Sequence, residues 1–318
     1  MGRMARNKGK TMSTMRTASL LLASTLLWSG AVTAAPATGS RAATAAHKPQ
    51  VAAHRGGAMH RPENTLAAFA HAAALGVEML ELDMVMSADD ALVVHHDTEL
   101  DPAVCRGAIP ANMPIRALSL AQLQQLDCGS TVRPGYAVPG FEPVPGAQMP
   151  TLEAVLAAHA DSPLGFFAET KMPAPADGVA DVDPLAFAHR IDALVRQYGV
   201  EARFILQSRD ARTLQAMARV NPHIRTCLYG RDVRDAVDVL ATLRRIGASC
   251  TLLPASHTSP AQVAELQGHG ILVFSEVVDD AAGWQRYRAL GSDVIITNHP
   301  QGALDYLRRP ASAPAGAH

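Results

Sequence analysis

Two histidines close two short apolar runs in the first third of the chain, each beside groups able to assist proton transfer. His54 follows Val51–Ala53 and opens the turn His54-Arg55-Gly56-Gly57; His96 closes the run Ala91–His95 and precedes Asp97. Between them Glu81 and Asp83 alternate with Leu80, Leu82 and Met84, and the period of two in a strand sets both carboxylates on one side. Farther on, Phe166-Phe167-Ala168-Glu169-Thr170-Lys171 ends an apolar run with an acid and a base two residues apart. Imidazoles titrate near neutral pH and suit the work of general acid and base. Three carboxylates arriving from separate elements suit a hard divalent cation, Ca2+ or Mg2+, with water completing its shell. Zinc fits less well, because the histidines are wanted for proton transfer. Arg55 offers a planar fork matched to phosphate oxygens, and the glycine-rich turn behind it leaves backbone N–H groups to face an anion.

Each of these residues also has a plainer reading. A lone histidine is more often structural than catalytic, but a histidine at each of two strand ends, each in its own motif, reverses that expectation. His95 should face away from His96 in an extended run and is read as structural; His60, in the first loop, is read as solvated. Glu169 and Lys171 could form a surface ion pair, although two aromatics immediately before them favour a buried strand entering a polar site. Glu63 has three competing roles: binding substrate hydroxyls, adding a metal ligand, or orienting Arg55 and the helix start.

Taken together, His54-Arg55-Gly56, Pro62-Glu63-Asn64-Thr65, Glu81-x-Asp83 and His96-Asp97 resemble the signature of the glycerophosphodiester phosphodiesterase family, in both order and spacing. The likeness continues more loosely to Pro300. It implies a barrel fold and metal-dependent hydrolysis of glycerophosphodiesters to sn-glycerol 3-phosphate and an alcohol. It further implies His54 and His96 as the catalytic pair, Glu81, Asp83 and Glu169 as metal ligands, and Lys171 near the phosphate; Arg55, by its own chemistry, and Glu63, with its role open, complete the expected substrate-binding set. Gln207-Ser208, at a later strand end, also matches. Two segments depart from the pattern. Phe274-Ser275-Glu276-Val277 stands where many members have a Trp-Thr-Val-Asn-like run, and Thr297-Asn298-His299-Pro300 stands where Thr-Asp-x-Pro is usual. Both bear on which alcohol is accepted. A lysophospholipase D-type activity on lipids with one acyl chain is the rival enzymatic reading, and a non-catalytic binding protein the rival of another class.

The elements that must position these groups are legible as an alternation. Apolar runs at Val51–Ala53, Met79–Met84, Ala91–His95, Gly165–Thr170, Phe204–Gln207, Thr226–Tyr229, Cys250–Leu253, Ile271–Phe274 and Val294–Thr297 make nine candidate strands. Helical patterns lie between the later ones: Pro184–Tyr198, Ala211–Val220, Val233–Ile246, Pro260–Gln267, Ala281–Leu290 and Gly302–Arg308. An earlier helix opens at Asn64-Thr65, with Leu66, Phe69, Ala73 and Val77 as its apolar positions. Alternation of this kind predicts βα units and a parallel sheet. Only four residues separate Met86 from Ala91, too few for a parallel crossover, so Ala91–His95 should be a hairpin. The other eight predict a (β/α)8 TIM barrel over residues 51–309, with an insertion at about 87–150 after the second strand; a doubly wound open sheet is the alternative. Thr98–Pro150 carries eight prolines and one helical patch at Leu118–Leu126, and should cover the site mouth. Its Tyr136 and Phe141 are candidates for headgroup contact or for surface packing.

Residues 1–35 read as a signal peptide: five cationic residues without an acid, the apolar stretch Ala18–Val32, and Thr33-Ala34-Ala35 for cleavage. An uncleaved anchor is the alternative, but the apolar core is short for a span of about 20 residues. Residues 36–50 read as a flexible leader and 310–318 as a disordered tail. Removing the leader peptide takes the formal net charge from −1 to −6, which argues against nucleic acid as a partner. The expected location is periplasmic or secreted, without stable membrane insertion after cleavage. Four cysteines in an exported chain favour pairing, here as Cys105–Cys128 and Cys227–Cys250.

Overall fold

The computed structural model of the chain describes residues 48–136, 138–172 and 182–309. The expected signal peptide, the tail 310–318 and residues 36–47 of the leader lie outside them. Among the described residues there are nine strands: β1 (Gln50–Ala53), β2 (Met79–Met86), β3 (Leu92–Val94), β4 (Gly165–Thr170), β5 (Phe204–Ser208), β6 (Arg225–Leu228), β7 (Cys250–Leu252), β8 (Leu272–Val277) and β9 (Val294–Thr297). β1 pairs in parallel with both β2 and β9, and the neighbours from β2 through β4 to β9 are parallel throughout. Eight strands therefore close into a TIM barrel, while β3 folds back antiparallel on β2 as a hairpin.

Period-two alternation sorts the side chains of these strands into two cores. Leu80, Leu82, Met84, Phe166 and Leu206 join the large cluster between barrel and helices. Ala52, Met79, Phe167, Ile205, Cys227, Cys250, Phe274 and Ile296 form a separate cluster. Two residues farther along the same faces come His54, Glu81, Glu169, Gln207, Tyr229, Glu276 and Asn298. The interior thus has an apolar floor below a polar mouth at the C-terminal ends of the strands, where barrel chemistry is usually built.

The insertion after β3 carries its own apolar cluster, in which Leu100, Val104, Ile115, Leu123 and Leu126 pack with Val85 and Val93 of the hairpin. Cys105–Cys128 bridges this segment and Cys227–Cys250 joins β6 to β7 at a register pair, so both expected pairings occur. Closing a loop of 23 residues is worth about 3 kcal/mol. Denaturant unfolding of the Cys105→Ser/Cys128→Ser protein should show a loss of that order. A loss below about 1 kcal/mol would show that the cluster holds the insertion without the bridge.

Three helical details differ from the sequence pattern. The first helix, Leu66–Leu75, is capped by Thr65 and stopped by Gly76 at φ 81°, so it buries Ala68, Phe69 and Ala72. Leu66 is 41% exposed, and Val77, though buried, lies beyond the helix on the way into β2. A further helix, Leu152–His159, follows the proline-rich insertion; Thr151 caps it and Leu152, Val155, Leu156 and His159 are buried. The segment expected to be one helix over Val233–Ile246 is two, Arg231–Arg234 and Val239–Ile246. Its break lies at Asp238, whose carboxylate accepts the Ala241 N–H at 2.9 Å and starts the second helix.

Candidate active site

The chain leaves β1 through a tight turn in which Arg55, Gly56 and Gly57 all have positive φ, at 52°, 81° and 88°. A Cβ on Gly56 would stand 2.7 Å from Ala68 Cβ, so the turn packs against the first helix only with glycine there. Left-handed Arg55 is costly for a residue with a side chain, by roughly 1–3 kcal/mol. The conformation aims its backbone N–H at Glu81 Oε2, 2.9 Å away. Gly57 N–H bonds to the His54 carbonyl within the turn at 2.8 Å. These two amides therefore serve the protein's own carboxylate and turn rather than facing an incoming anion, because the turn is a closed 3-10 loop.

Glu81, Asp83 and Glu169 converge at the mouth. One oxygen from each lies within 4.8 Å of the others, and all three residues are buried. Gln207 donates to Glu81 Oε1 at 2.8 Å, and Asn64, also left-handed at φ 56°, donates to Asp83 Oδ2 at 2.8 Å. Lys171 Nζ lies 2.7 Å from Glu169 and 3.0 Å from Asp83, while Arg55 Nε lies 3.4 Å from Asp83. Burial, and then the neighbouring Asp83 charge, push the Glu81 carboxyl well above its usual range. For Asp83 burial acts upward as well, but Lys171 and Arg55 outweigh it and hold the carboxyl far below its usual range. Three buried carboxylates crowd the mouth, and Asp83 Oδ1 accepts no hydrogen bond despite its ion pair. An all-oxygen donor set of this kind fits a hard divalent cation.

His54 sits beside this group, with Nε2 3.9 Å from Glu81 Oε2 and Nδ1 2.7 Å from Asn298 Oδ1. The Asn298 amide is itself oriented: its Nδ2 donates to Asp279 Oδ2 at 2.9 Å and its backbone N–H to Asp279 Oδ1 at 2.7 Å. With the NH2 turned to a carboxylate, the amide oxygen faces His54 and accepts from Nδ1, leaving Nε2 with its lone pair toward the mouth. Burial, followed by the adjacent Arg55 charge, lowers the His54 pKa to about 4 and keeps the ring neutral.

His96 bonds through Nδ1 to Asp97 Oδ1 at 2.7 Å and lines a pocket of about 300 Å3 with Glu169, Lys171 and Arg209. His95 points the other way, is 2% exposed, and is buried beside Glu63 and Arg133. Glu63 is taken up by two guanidinium groups: Arg55 Nη1 at 2.9 Å, and Arg133 through Nε and Nη2 at 3.1 and 3.2 Å. His60 is not simply solvated. It packs against the rings of His299 and His71 at 4.9 and 5.6 Å, because its loop lies over the start of the last helix. Tyr136 and Phe141 line a small cavity between the first loop and the insertion, with Pro62 and Val104. A second opening of about 600 Å3 continues past Arg209 and Tyr229 to Glu276 and Val277.

Nothing in the sequence pattern marks Arg133, Asp279 or the Asp83-binding role of Asn64. Asn64 lies inside Pro62-Glu63-Asn64-Thr65, where capping chemistry accounts for an asparagine without the longer contact. Arg133 is a lone cation in a loop, and Asp279 stands beside Asp280, whose helix-capping role masks it.

A family model described as the glycerophosphoryl diester phosphodiesterase family matches residues 54–302. A glycerophosphodiester phosphodiesterase of Bacillus subtilis is 26% identical over 255 residues, 78% of this chain and 83% of that protein. A crystal structure from Silicibacter pomeroyi, ascribed to a glycerophosphoryl diester phosphodiesterase, superposes with a TM-score of 0.74 at 26% identity. It covers 81% of this chain and 92% of its own. An Oleispira antarctica phosphodiesterase, solved with its product sn-glycerol 3-phosphate, has the same fold with a TM-score of 0.69 at 22% identity. There the coverage is 82% of this chain and 97% of that one.

Proposed function

The chain belongs to the glycerophosphoryl diester phosphodiesterase family, and from that premise we propose that it hydrolyses glycerophosphodiesters to sn-glycerol 3-phosphate and an alcohol, with His54 as base and His96 as acid. The observation that carries this reading is the pairing of an oriented, neutral His54 with three buried carboxylates at one barrel mouth. His54 Nε2 takes the proton of the attacking hydroxyl as that oxygen bonds to phosphorus: water gives sn-glycerol 3-phosphate directly, whereas a glycerol hydroxyl gives a cyclic phosphate that water then opens. The bond from phosphorus to the departing alcohol breaks, and His96, supported on Asp97, gives that oxygen its proton. Arg55 and Lys171 supply positive charge beside the phosphoryl oxygens. Glu81, Asp83 and Glu169 would hold a divalent cation, Ca2+ or Mg2+, which when bound neutralises phosphate charge. The larger opening toward Glu276 leaves room for the alcohol. Two disulfides fit an oxidising compartment, in keeping with export to the periplasm or medium. Among the described residues no helix is long and apolar enough to cross a membrane.

The direct test is release of sn-glycerol 3-phosphate from glycerophosphocholine after EDTA treatment, with Ca2+ or Mg2+ then returned. Loss on chelation and recovery with one cation is the expected result. Full activity in EDTA would remove the metal, and inactivity with both cations across several headgroups would remove the substrate class.

A further inference from the structure

Arg133 belongs to the insertion rather than to the barrel, yet its guanidinium lies against three carboxylates of the site rim. Nη2 donates to Asp97 Oδ2 at 2.8 Å, Nη1 to Asp101 Oδ2 at 3.0 Å, and Nε and Nη2 to the two oxygens of Glu63 at 3.1 and 3.2 Å. The other oxygen of Asp97 faces His96 Nδ1 at 2.7 Å, and the first oxygen of Glu63 also receives Arg55 Nη1 at 2.9 Å. One planar fork therefore sets the orientation of two carboxylates, one directing His96 and the other directing Arg55. Lysine has the charge but not the fork.

The arrangement also shows how Arg133 is delivered. Cys128 and Cys105 tie the preceding segment to the start of the insertion, and Thr131 Oγ1 donates to the Val104 carbonyl at 2.8 Å. Arg133 follows two residues later, with its side chain 22% exposed. Three carboxylates occupy its donors, so it does not meet the substrate itself.

We propose that Arg133 is a positioning residue for proton transfer: it fixes Asp97, and through Asp97 the ring of His96, so that the insertion completes the site. This rests on His96 acting in diester hydrolysis. A displaced catalytic group of this kind costs on the order of 10²-fold. The test is a double-mutant cycle on the purified full chain, with Arg133→Gln, Arg133→Lys, Asp97→Asn and the Arg133→Gln/Asp97→Asn pair assayed on glycerophosphocholine.

The expected result for Arg133→Gln is a fall in kcat of about 10–100-fold with KM changed by less than about threefold, and partial recovery in Arg133→Lys. The pair should lose little more than Asp97→Asn alone, since Glu63 keeps its bond from Arg55 and the shared loss falls on one ring. Kinetics at several temperatures, with the thermal midpoint of each variant, separate this from simple loosening of the insertion. Losses that multiply independently, or an Arg133→Gln kcat within about threefold of the parent, would overturn the proposal. If Arg133→Gln does not fold, Arg133→Lys and Asp97→Asn decide it: full activity in both removes the role. An inactive parent enzyme would instead mark failure of the underlying assignment.

Discussion

Alanine at His54 or at His96 is expected to lower kcat by roughly 10²–10⁴, the usual worth of a general acid or base. The two losses should differ in character. His54 is held on one side by Asn298 and placed over Glu81 on the other, so its removal takes away the proposed proton acceptor and opens a small space beside a buried carboxylate. His96 is more exposed, with 29% of its side chain accessible, and touches Asp97 rather than the acidic cluster. Its loss should fall mainly on diesters whose alcohol is a poor leaving group, because such an alkoxide needs the proton. A diester with a nitrophenol leaving group should therefore recover much of the His96→Ala rate and little of the His54→Ala rate. Equal rescue of both variants would contradict the assignment of base and acid, and losses below about tenfold in both would remove it.

The second large effect is expected at Glu81. Without a cation, burial and Asp83 raise its carboxyl pKa well above the usual range. The sign follows from linkage: a group whose folded pKa is raised is held less favourably as the anion, so its penalty on stability grows as pH rises above the unfolded value. Glu81→Gln removes that penalty while keeping shape. Arg55 N–H still finds a carbonyl oxygen, and the Gln207 amide can turn to accept the new NH2. The cation-free variant should thus be at least as stable as the parent at pH 7. The opposite holds once a cation is present. Replacing even a residue that supports a ligand costs about 10–100-fold in metal affinity, and Glu81, as a proposed ligand, should cost no less. The parent, at a cation concentration of 100 times Kd, gains about 2.7 kcal/mol; the variant should lose most of that gain together with its activity. Thermal midpoints with and without Ca2+ or Mg2+ measure both signs. A Glu81→Gln protein that keeps the full cation-induced rise would show that the cation lies elsewhere.

Much of the molecule is written locally in the chain. A strand of period two needs only its own residues to put Glu81 and Asp83 on one face, and four residues between Met86 and Ala91 exclude a parallel crossover. Eight barrel strands plus one hairpin follow from such short-range constraints, as do the motifs that carry His54, His96 and Glu169. The failures are also local in cause. The helix Leu152–His159 follows directly on a run of prolines, and the break at Asp238 lies inside a pattern whose period continues across it.

What the chain alone could not supply is the relation between groups far apart in sequence. His54 and Asn298 are 244 residues apart, Gln207 and Glu81 126, Arg133 and Glu63 70. Nothing in the neighbourhood of Arg133 distinguishes it from an ordinary surface cation; only the path of the insertion back over the barrel brings it to Asp97. Closure of the barrel likewise joins β9 to β1, and so sets the Asp279–Asn298 pair behind His54 and determines which ring nitrogen faces the mouth. The types of group and their strand faces were determined by sequence, because backbone periodicity acts over a few residues. Their hydrogen-bond partners, tautomer and charge balance were decided by tertiary structure, because those depend on which distant dipoles and ions share a low-dielectric space.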